Sequence, residues 1–331
     1  MKNFEYLQPK TIQEASGMLA QQNGAGLPYA GGTDALGLMK NNIIAPEQVV
    51  NLKRLPGMTT KKYTPKEGLR LGALVTVADL AADQTIAETY PVLSEAANEV
   101  ASPQLRNVGT VGGNICQRPR CWYFRSEEFD CLRKGGDLCY AADGQNKYHC
   151  IVGGGPCFIV HPSDLAVALL ALNASVKIFD GNDTRVTPLS EFFVLPETDY
   201  TVENILKPGE IITEIIVPDL PEGTKSGYLK MKERDVWDFA VVSVGAVLPP
   251  SAAQTTDQML GESRIALGGI APIPWLAEDL NEQLNKTKLS QDNIDNLISG
   301  MLPDAAPLAK NGYKVPLAQN LTRQILRRLV A

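Results

Sequence analysis

No stretch of this 331-residue sequence approaches about 18 consecutive apolar residues, so no membrane-spanning helix is expected. The longest apolar run, around LAVALLALNASVKIF, is interrupted and reads as a buried helix followed by a strand. The opening residues, MKNFEYLQPKTIQEA, lack the apolar core of a secretory signal, and no signal peptide is expected. Positive charge is not in excess: 31 Lys and Arg against 37 Asp and Glu leave a net charge of −6, which gives no electrostatic case for nucleic acid. There is no internal repeat and no low-complexity segment, no G-x-G-x-x-G, no P-loop, and no plant-type C-x4-C-x2-C run for a 2Fe–2S cluster. Cysteine is absent from residues 1–115 and from 158–331.

All six cysteines therefore fall between Cys116 and Cys157. Buried structural cysteines would be scattered through the core segments. A cluster of soft sulfur donors in one loop-like stretch points instead to iron–sulfur or zinc. Six cysteines in a chain of this length do not make a disulfide scaffold, and reduced, metal-binding thiols are the better reading. The remaining composition, 44% hydrophobic and 21% charged, is that of a globular protein with room for two domains.

Along the chain, FEYL reads as a strand, followed by a turn at Pro9 and a helix capped by Thr11 with Glu14 at its third position. GLPYAGGTDALGLMK is a short strand running into a Gly-Gly turn, where Thr33 or Asp34 can cap the next element. QVVNLKRL and GLRLGALVTV supply strands, with a helix starting at ADLAAD. YPVLSEAANEVAS is helical up to Pro103, and QLRNVGTVGGNI is a glycine-rich turn between short apolar pieces. After the cysteine segment the helix DLAVALLAL resumes the pattern, and KIFD to IIVPDL gives strands and turns. A composition shift at PDLPEGTKSG marks a domain boundary. Beyond it come strands at GYLKM and RIALGG, an apolar strand or helix at VVSVGAVL, and a helical last sixty residues or so.

Two glycine loops have phosphate-binding chemistry. Gly31-Gly32-Thr33-Asp34 follows a strand end, where glycines permit close approach to a diphosphate and N–H groups with a hydroxyl can bind its oxygens. Thr110-Val111-Gly112-Gly113-Asn114 is a second loop of the same kind. Taken alone the first reads better as a tight turn, and the pair strengthens the case for a dinucleotide only modestly.

In combination, AGGTD…LMK, SPQLRNVGTVGGN, HPSDLAVALLAL and YLKMKERDVWDFAVVSVGA resemble the FAD-binding (medium) subunits of the molybdenum hydroxylase and xanthine dehydrogenase family, along essentially the whole chain. The insert after GGN is similar to that of the subgroup with an extra 4Fe–4S cluster: aldehyde oxidoreductase flavin subunits and 4-hydroxybenzoyl-CoA reductases. QRPRCWYFR leans toward the aldehyde oxidoreductases. The resemblance implies an α+β fold. It consists of a two-lobed FAD-binding domain of the PCMH/vanillyl-alcohol-oxidase type at 1–222 (lobes about 1–57 and 58–222, insert 116–157) and a smaller α+β C-terminal domain of the carbon monoxide dehydrogenase flavoprotein type at 223–331. It also implies that Ala30, Gly31, Gly32, Thr33 and Asp34 wrap the pyrophosphate. Ala101, Leu105, Gly109, Thr110, Gly113 and Asn114 hold phosphate and line the flavin side. Asp164 matches an acidic residue at the ribose and adenine end, and Ile212 and Lys230 match positions that reach the flavin. A cation at Lys230 would stabilise a reduced, anionic flavin.

By the same resemblance the cluster ligands are Cys121, Cys131, Cys139 and Cys157, with Cys150 the alternative for the last place and Cys116 packed on the flavin side. The spacing Cys-x9-Cys-x7-Cys-x17-Cys lacks the close pair usual in structural zinc sites, although His149 and His161 could each replace a sulfur. Arg118, Arg120, Arg125, Arg133 and Lys134 are expected around the cysteines, either raising a cluster's potential or forming a solvated or docking face. Trp122, Tyr123 and Phe124 would shield a cluster or form local core.

The expected function is that of an electron-transfer flavin subunit of a molybdenum-dependent oxidoreductase. Electrons would pass from 2Fe–2S clusters through FAD to an external acceptor. Molybdopterin and the 2Fe–2S clusters would reside on large and small partner subunits, and no catalytic acid or base is assigned. The alternatives are reversed electron flow in a 4-hydroxybenzoyl-CoA reductase-like enzyme, a stand-alone FAD oxidoreductase, and a non-enzymatic metal-stabilised scaffold. A cytoplasmic site of folding is expected, with periplasmic location by co-export on a partner's signal implied for the relatives.

Overall fold

The computed structural model describes residues 1–21, 26–250, 262–287 and 289–331. Among these residues three separate sheets follow one another. The first is a small parallel sheet of β1 (Glu5–Leu7), β2 (Gly26–Tyr29) and β3 (Gln48–Asn51), with β3 in the middle. Helix α1 (Ile12–Ala20) provides the crossover from β1 to β2. Its start is as the sequence predicts: Thr11 Oγ1 accepts the Glu14 N–H at 3.2 Å, and the Glu14 carboxylate returns to the Lys10 N–H at 2.7 Å. Helix α2 (Ala35–Lys40) leads from β2 toward β3.

The second sheet is antiparallel, in the order β4 (Lys61–Thr64), β5 (Gly68–Gly72), β8 (Ile211–Val217), β6 (Ser175–Phe179), β7 (Thr184–Pro188). Between β5 and β6 the chain runs through α3 (Val77–Ala81), α4 (Gln84–Thr89), α5 (Pro91–Glu99), α6 (Pro103–Arg106), α7 (Val111–Ile115), the cysteine insert with α8 (Trp122–Arg125), and α9 (Asp164–Ala171). Every residue of α9 is buried. A helix apolar all round needs cover on all sides, and α9 has it: α5 and α7 pack against it from its own domain, and β10 and β11 from the next.

That third sheet, β12 (Trp275–Leu276), β11 (Arg264–Gly268), β10 (Val242–Leu248), β9 (Lys225–Met231), is antiparallel and carries α10 (Glu278–Lys286), α11 (Ile294–Ser299) and α12 (Lys314–Val330). VVSVGAVL, open to either reading from sequence, is strand β10: β-branched residues favour it, and its place between β9 and β11 buries both of its faces. Among the described residues two large apolar cores result, one under the first two sheets and one between the third sheet and α10–α12, and Leu38, Phe124 and Cys131 form a third, small cluster.

The glycine-rich stretch after Pro103 departs from the expected turn. It forms two short helices, each with a hydroxyl cap: Ser102 Oγ accepts the Leu105 N–H at 3.4 Å and Thr110 Oγ1 accepts the Gly113 N–H at 3.2 Å. Capping and burial of Val111 and Ile115 outweigh the poor helix propensity of VGGNI.

The insert itself holds little regular structure, only α8 and a single 3-10 turn at Leu132–Lys134. The C-terminal domain grips its far end. Asn311 Nδ2 donates to the carbonyls of His149 (3.1 Å) and Cys150 (2.9 Å). The buried Lys314 ammonium donates to the carbonyls of Tyr148 (2.8 Å), His149 (3.0 Å) and Gly269 (2.6 Å).

Candidate functional site: a glycine-lined cavity beside a cysteine pocket

A cavity of about 450 Å³ lies where the first sheet, the second lobe and the loop after β9 meet. All fourteen residues expected to contact a dinucleotide line it: Ala30, Gly31, Gly32, Thr33, Asp34, Ala101, Leu105, Gly109, Thr110, Gly113, Asn114, Asp164, Ile212 and Lys230.

The two glycine loops touch through backbone. A Cβ on Gly31 would lie 2.8 Å from the Val108 carbonyl carbon and 2.9 Å from Gly109 Cα, so only glycine permits this approach. Gly32 has φ +71° with the Tyr29 ring against its missing side chain. The loops differ in what they can offer an anion. In the second, the N–H groups of Val111 and Gly112 are bonded to Val75 O and Ala73 O at 2.9 Å, and that of Gly113 to Thr110 Oγ1. In the first, the N–H groups of Gly32, Thr33 and Asp34 have no acceptor among the described residues. Ala101 sits at φ +44°, a left-handed conformation that costs a non-glycine residue about 1–3 kcal/mol and places strain on the cavity wall.

Asp164 and Lys230, expected at opposite ends of an extended cofactor, are joined in one ion pair: Lys230 Nζ is 2.8 Å from Asp164 Oδ2 and donates to Glu99 O at 2.9 Å. Tyr228 donates to the other Asp164 oxygen at 2.7 Å. The resemblance matched Asp164 to the ribose and adenine end and Lys230 to the flavin; in the structure the two side chains are in contact. Burial raises the Asp164 pKa against the pull of Lys230.

Asp34 differs from expectation too. It heads α2 without capping it. Its carboxylate turns to the insert, accepting the Arg118 N–H at 2.8 Å, Arg125 Nη2 at 2.7 Å, and Arg120 Nη1. Burial opposes ionisation of Asp34, but Arg120, Arg125 and the Arg118 N–H outweigh it and hold the carboxyl below the usual carboxylate value. A second carboxylate on the cavity wall, Glu203, accepts Arg118 Nε at 3.1 Å and Arg133 Nη2 at 2.8 Å. Sequence reading missed Glu203. TVENILKPGE carries no motif, and its arginine partners lie 85 and 70 residues away.

Beside this cavity lies a small pocket lined by Cys121, Cys131, Cys139 and Cys157, with Tyr123, Phe124, Tyr140, His149 and Arg133 among its walls. Cys116 instead lines the glycine-loop cavity, and Cys150 is buried outside both. All six are free thiols. Among the described residues no three His, Cys, Asp or Glu side chains converge closely enough for one metal ion. The neighbouring Cys157 side chain pulls the Cys139 pKa down, and Cys139 together with burial pushes that of Cys157 up. Burial pushes Cys121 up to about 11 and Cys116 and Cys150 to about 12.

His149 Nε2 lies 3.2 Å from Cys121 Sγ, and burial lowers the His149 pKa to about 4, so the ring is neutral at pH 7. Arg133 Nη1 is 4.0 Å from Cys157 Sγ. Of the five cations expected around the cysteines, Arg133 alone lines the pocket. Arg118, Arg120 and Arg125 are spent on Asp34 and Glu203, and Lys134 donates to Ser126 O. Trp122 packs edge-on against Tyr123, Tyr148 and His149 along one side.

Comparison with known proteins matches residues 2–220 to the FAD binding domain in molybdopterin dehydrogenase and residues 227–329 to the CO dehydrogenase flavoprotein C-terminal domain. The chain is 37% identical to the aldehyde oxidoreductase FAD-binding subunit PaoB of Escherichia coli K12 over 330 residues, 98% of each chain. It is 28% identical to the carbon monoxide dehydrogenase medium chain of Hydrogenophaga pseudoflava, over 98% of this chain and 96% of that one. In structure it superimposes on a chain of CO dehydrogenase from Oligotropha carboxidovorans with a TM-score of 0.76 at 22% identity, covering 99% and 98% of the two chains, a likeness of fold.

Proposed function

This chain belongs to the family of FAD-binding subunits of molybdenum hydroxylases, and from that premise we propose that it is the flavin subunit of an aldehyde oxidoreductase carrying a 4Fe–4S cluster in addition to FAD. Large and small partners would carry molybdopterin and 2Fe–2S clusters, and electrons would leave through FAD to an external acceptor. The domains are taken as 1–222 and 223–331.

The observation that carries the cluster reading is the sorting of the cysteines. Four of six line one pocket, and they are Cys121, Cys131, Cys139 and Cys157. Four thiols are the donor set of a cubane. The spacing Cys-x9-Cys-x7-Cys-x17-Cys lacks the close pair usual in a structural zinc site, which favours iron–sulfur over zinc. When bound, FAD supplies a carrier that exchanges one or two electrons, and the cluster a carrier of one.

The protein's own residues bind and orient these groups. The free N–H groups of Gly32, Thr33 and Asp34 hold the diphosphate, while the second loop contributes walls, the Thr110 hydroxyl and Asn114. Lys230 and Asp164 present a polar, buried end that fixes the cofactor's orientation. Tyr123 and Phe124, in the wall of the cysteine pocket, limit water there, with Trp122 packed against Tyr123.

The test is metal content per flavin in protein purified without oxygen. About four irons per FAD is expected. About one zinc and no iron would remove the cluster and leave a plain flavin subunit.

A further inference from the structure

The arginines of the insert connect two carboxylates that the fold brings from different places. Asp34 comes from the loop between β2 and α2 in the first lobe, and Glu203 from the segment between β7 and β8 in the second. Both line the cavity. Arg118 reaches both, its backbone N–H to Asp34 at 2.8 Å and its Nε to both Glu203 oxygens at 3.1 Å. Arg125 donates to Asp34 and also to the carbonyls of Arg118 (3.0 Å) and Pro119 (2.7 Å), folding 118–125 around the carboxylate. Arg133, its side chain 2% exposed, stands between the two sites: it donates to Glu203 through Nε (3.0 Å) and Nη2 (2.8 Å), to Val202 O (2.8 Å) and, through Nη1, to Tyr200 O, with Nη1 also 4.0 Å from Cys157 Sγ.

We infer that this clamp makes binding at the cysteine pocket and FAD binding in the cavity mutually dependent, with Glu203 and Arg133 as positioning residues. The inference rests on the cluster reading above. Its physical basis is the insert's lack of regular structure. With one four-residue helix and one 3-10 turn, the placement of Arg118, Arg125 and Arg133 depends on what fixes Cys121, Cys131 and Cys157 beside them. Ordering the pocket orders the arginines, the arginines hold Asp34, and Asp34 fixes the loop whose N–H groups stand free. A coupling of this kind is reciprocal in free energy and is typically about 5- to 150-fold in affinity.

The experiment is a double-mutant cycle on the full-length chain, reading the FAD dissociation constant by flavin fluorescence, with iron counted per chain. Cys131→Ala, within the pocket, is expected to weaken FAD about tenfold. Glu203→Gln, of equal shape, is expected to do the same while iron stays as in the unmutated chain. The double variant should be no weaker than about the worse single one, because both break the same connection. Cys150→Ala, buried in the insert outside the pocket, should bind FAD as the unmutated chain does. Native FAD affinity in Cys131→Ala, a double variant about a hundredfold weaker, or an equal loss in Cys150→Ala would each overturn the coupling. An unmutated chain that binds FAD but holds no iron removes the cluster reading and the coupling together. Iron present with FAD affinity indifferent to Cys131 removes the coupling alone.

Discussion

The glycine-lined cavity and the cysteine pocket are neighbours built by opposite means. The cavity is framed by capped helices and strand ends, and its loops are tied by backbone: Val77 N–H to Gly109 O, Val111 N–H to Val75 O and Gly112 N–H to Ala73 O, all at 2.9 Å. The pocket is framed by side chains, namely thiols, guanidiniums on carboxylates, and an aromatic edge. A frame of backbone bonds exists whether or not a ligand is present. A frame of thiols and charges in irregular chain depends on whatever neutralises and joins them.

The largest expected effect follows from that contrast. Removing the proposed cluster with a chelator should raise amide hydrogen exchange across residues 117–160 by about a hundredfold or more, while β5, β8 and β10 exchange as before. Equal loss of protection in the sheets would mean that the pocket is part of the global core, and the contrast would fail.

Next in size is the converse, a change on the backbone-built side. Gly31→Ala places a methyl 2.8 Å from the Val108 carbonyl carbon, so the two loops must part. FAD affinity measured by fluorescence should fall by about a hundredfold, with iron content unchanged. Native affinity would show that the loops yield and that their contact is not what shapes the cavity.

How much of this was legible from sequence follows the same division. The glycine loops and the Thr11 cap could be read because their determinants lie within a few residues of one another. That Cys121, Cys131, Cys139 and Cys157 line one pocket was legible only through the resemblance, since clustering in sequence marks all six cysteines alike. The clamp could not be read. Arg118 and Asp34 are 84 residues apart, and an arginine beside a cysteine in sequence gives no hint that it points away from it in space. The pairing of Asp164 with Lys230 was missed for the same reason, since 66 residues and a domain boundary separate them. The α7 helix was misjudged because its glycines speak locally for a turn, while the burial that overrides them is tertiary.

The grip of the C-terminal domain on the insert comes third. Lys314→Met leaves the carbonyls of Tyr148, His149 and Gly269 without their donor and should cost about 2–4 kcal/mol in denaturant unfolding. Its pH dependence has a defined sign. Burial lowers the Lys314 pKa to about 7, against about 10.4 in an unfolded chain. Between these values the unfolded chain binds more protons, so stability rises with pH from about 7 to about 10, and this contribution is flat below about 7. The slope should vanish in Lys314→Met. A variant with the same slope would place the titration elsewhere.

The smallest effect tests whether the two frames meet at one residue. Ser163 Oγ caps α9 by accepting the Ala166 N–H at 3.0 Å and also donates to Asn114 Oδ1, on the cavity wall, at 2.5 Å. It follows closely on the insert, six residues after Cys157. Ser163→Ala should cost about 1 kcal/mol of stability for the lost cap. FAD affinity should fall only about two- to fivefold, because Asn114 keeps its place in α7 and loses one orienting bond. Thermal unfolding and FAD titration on the same variant separate the two. A loss of affinity as large as that of Gly31→Ala would mean that a side-chain contact, not the touching backbones of the glycine loops, sets the shape of the cavity.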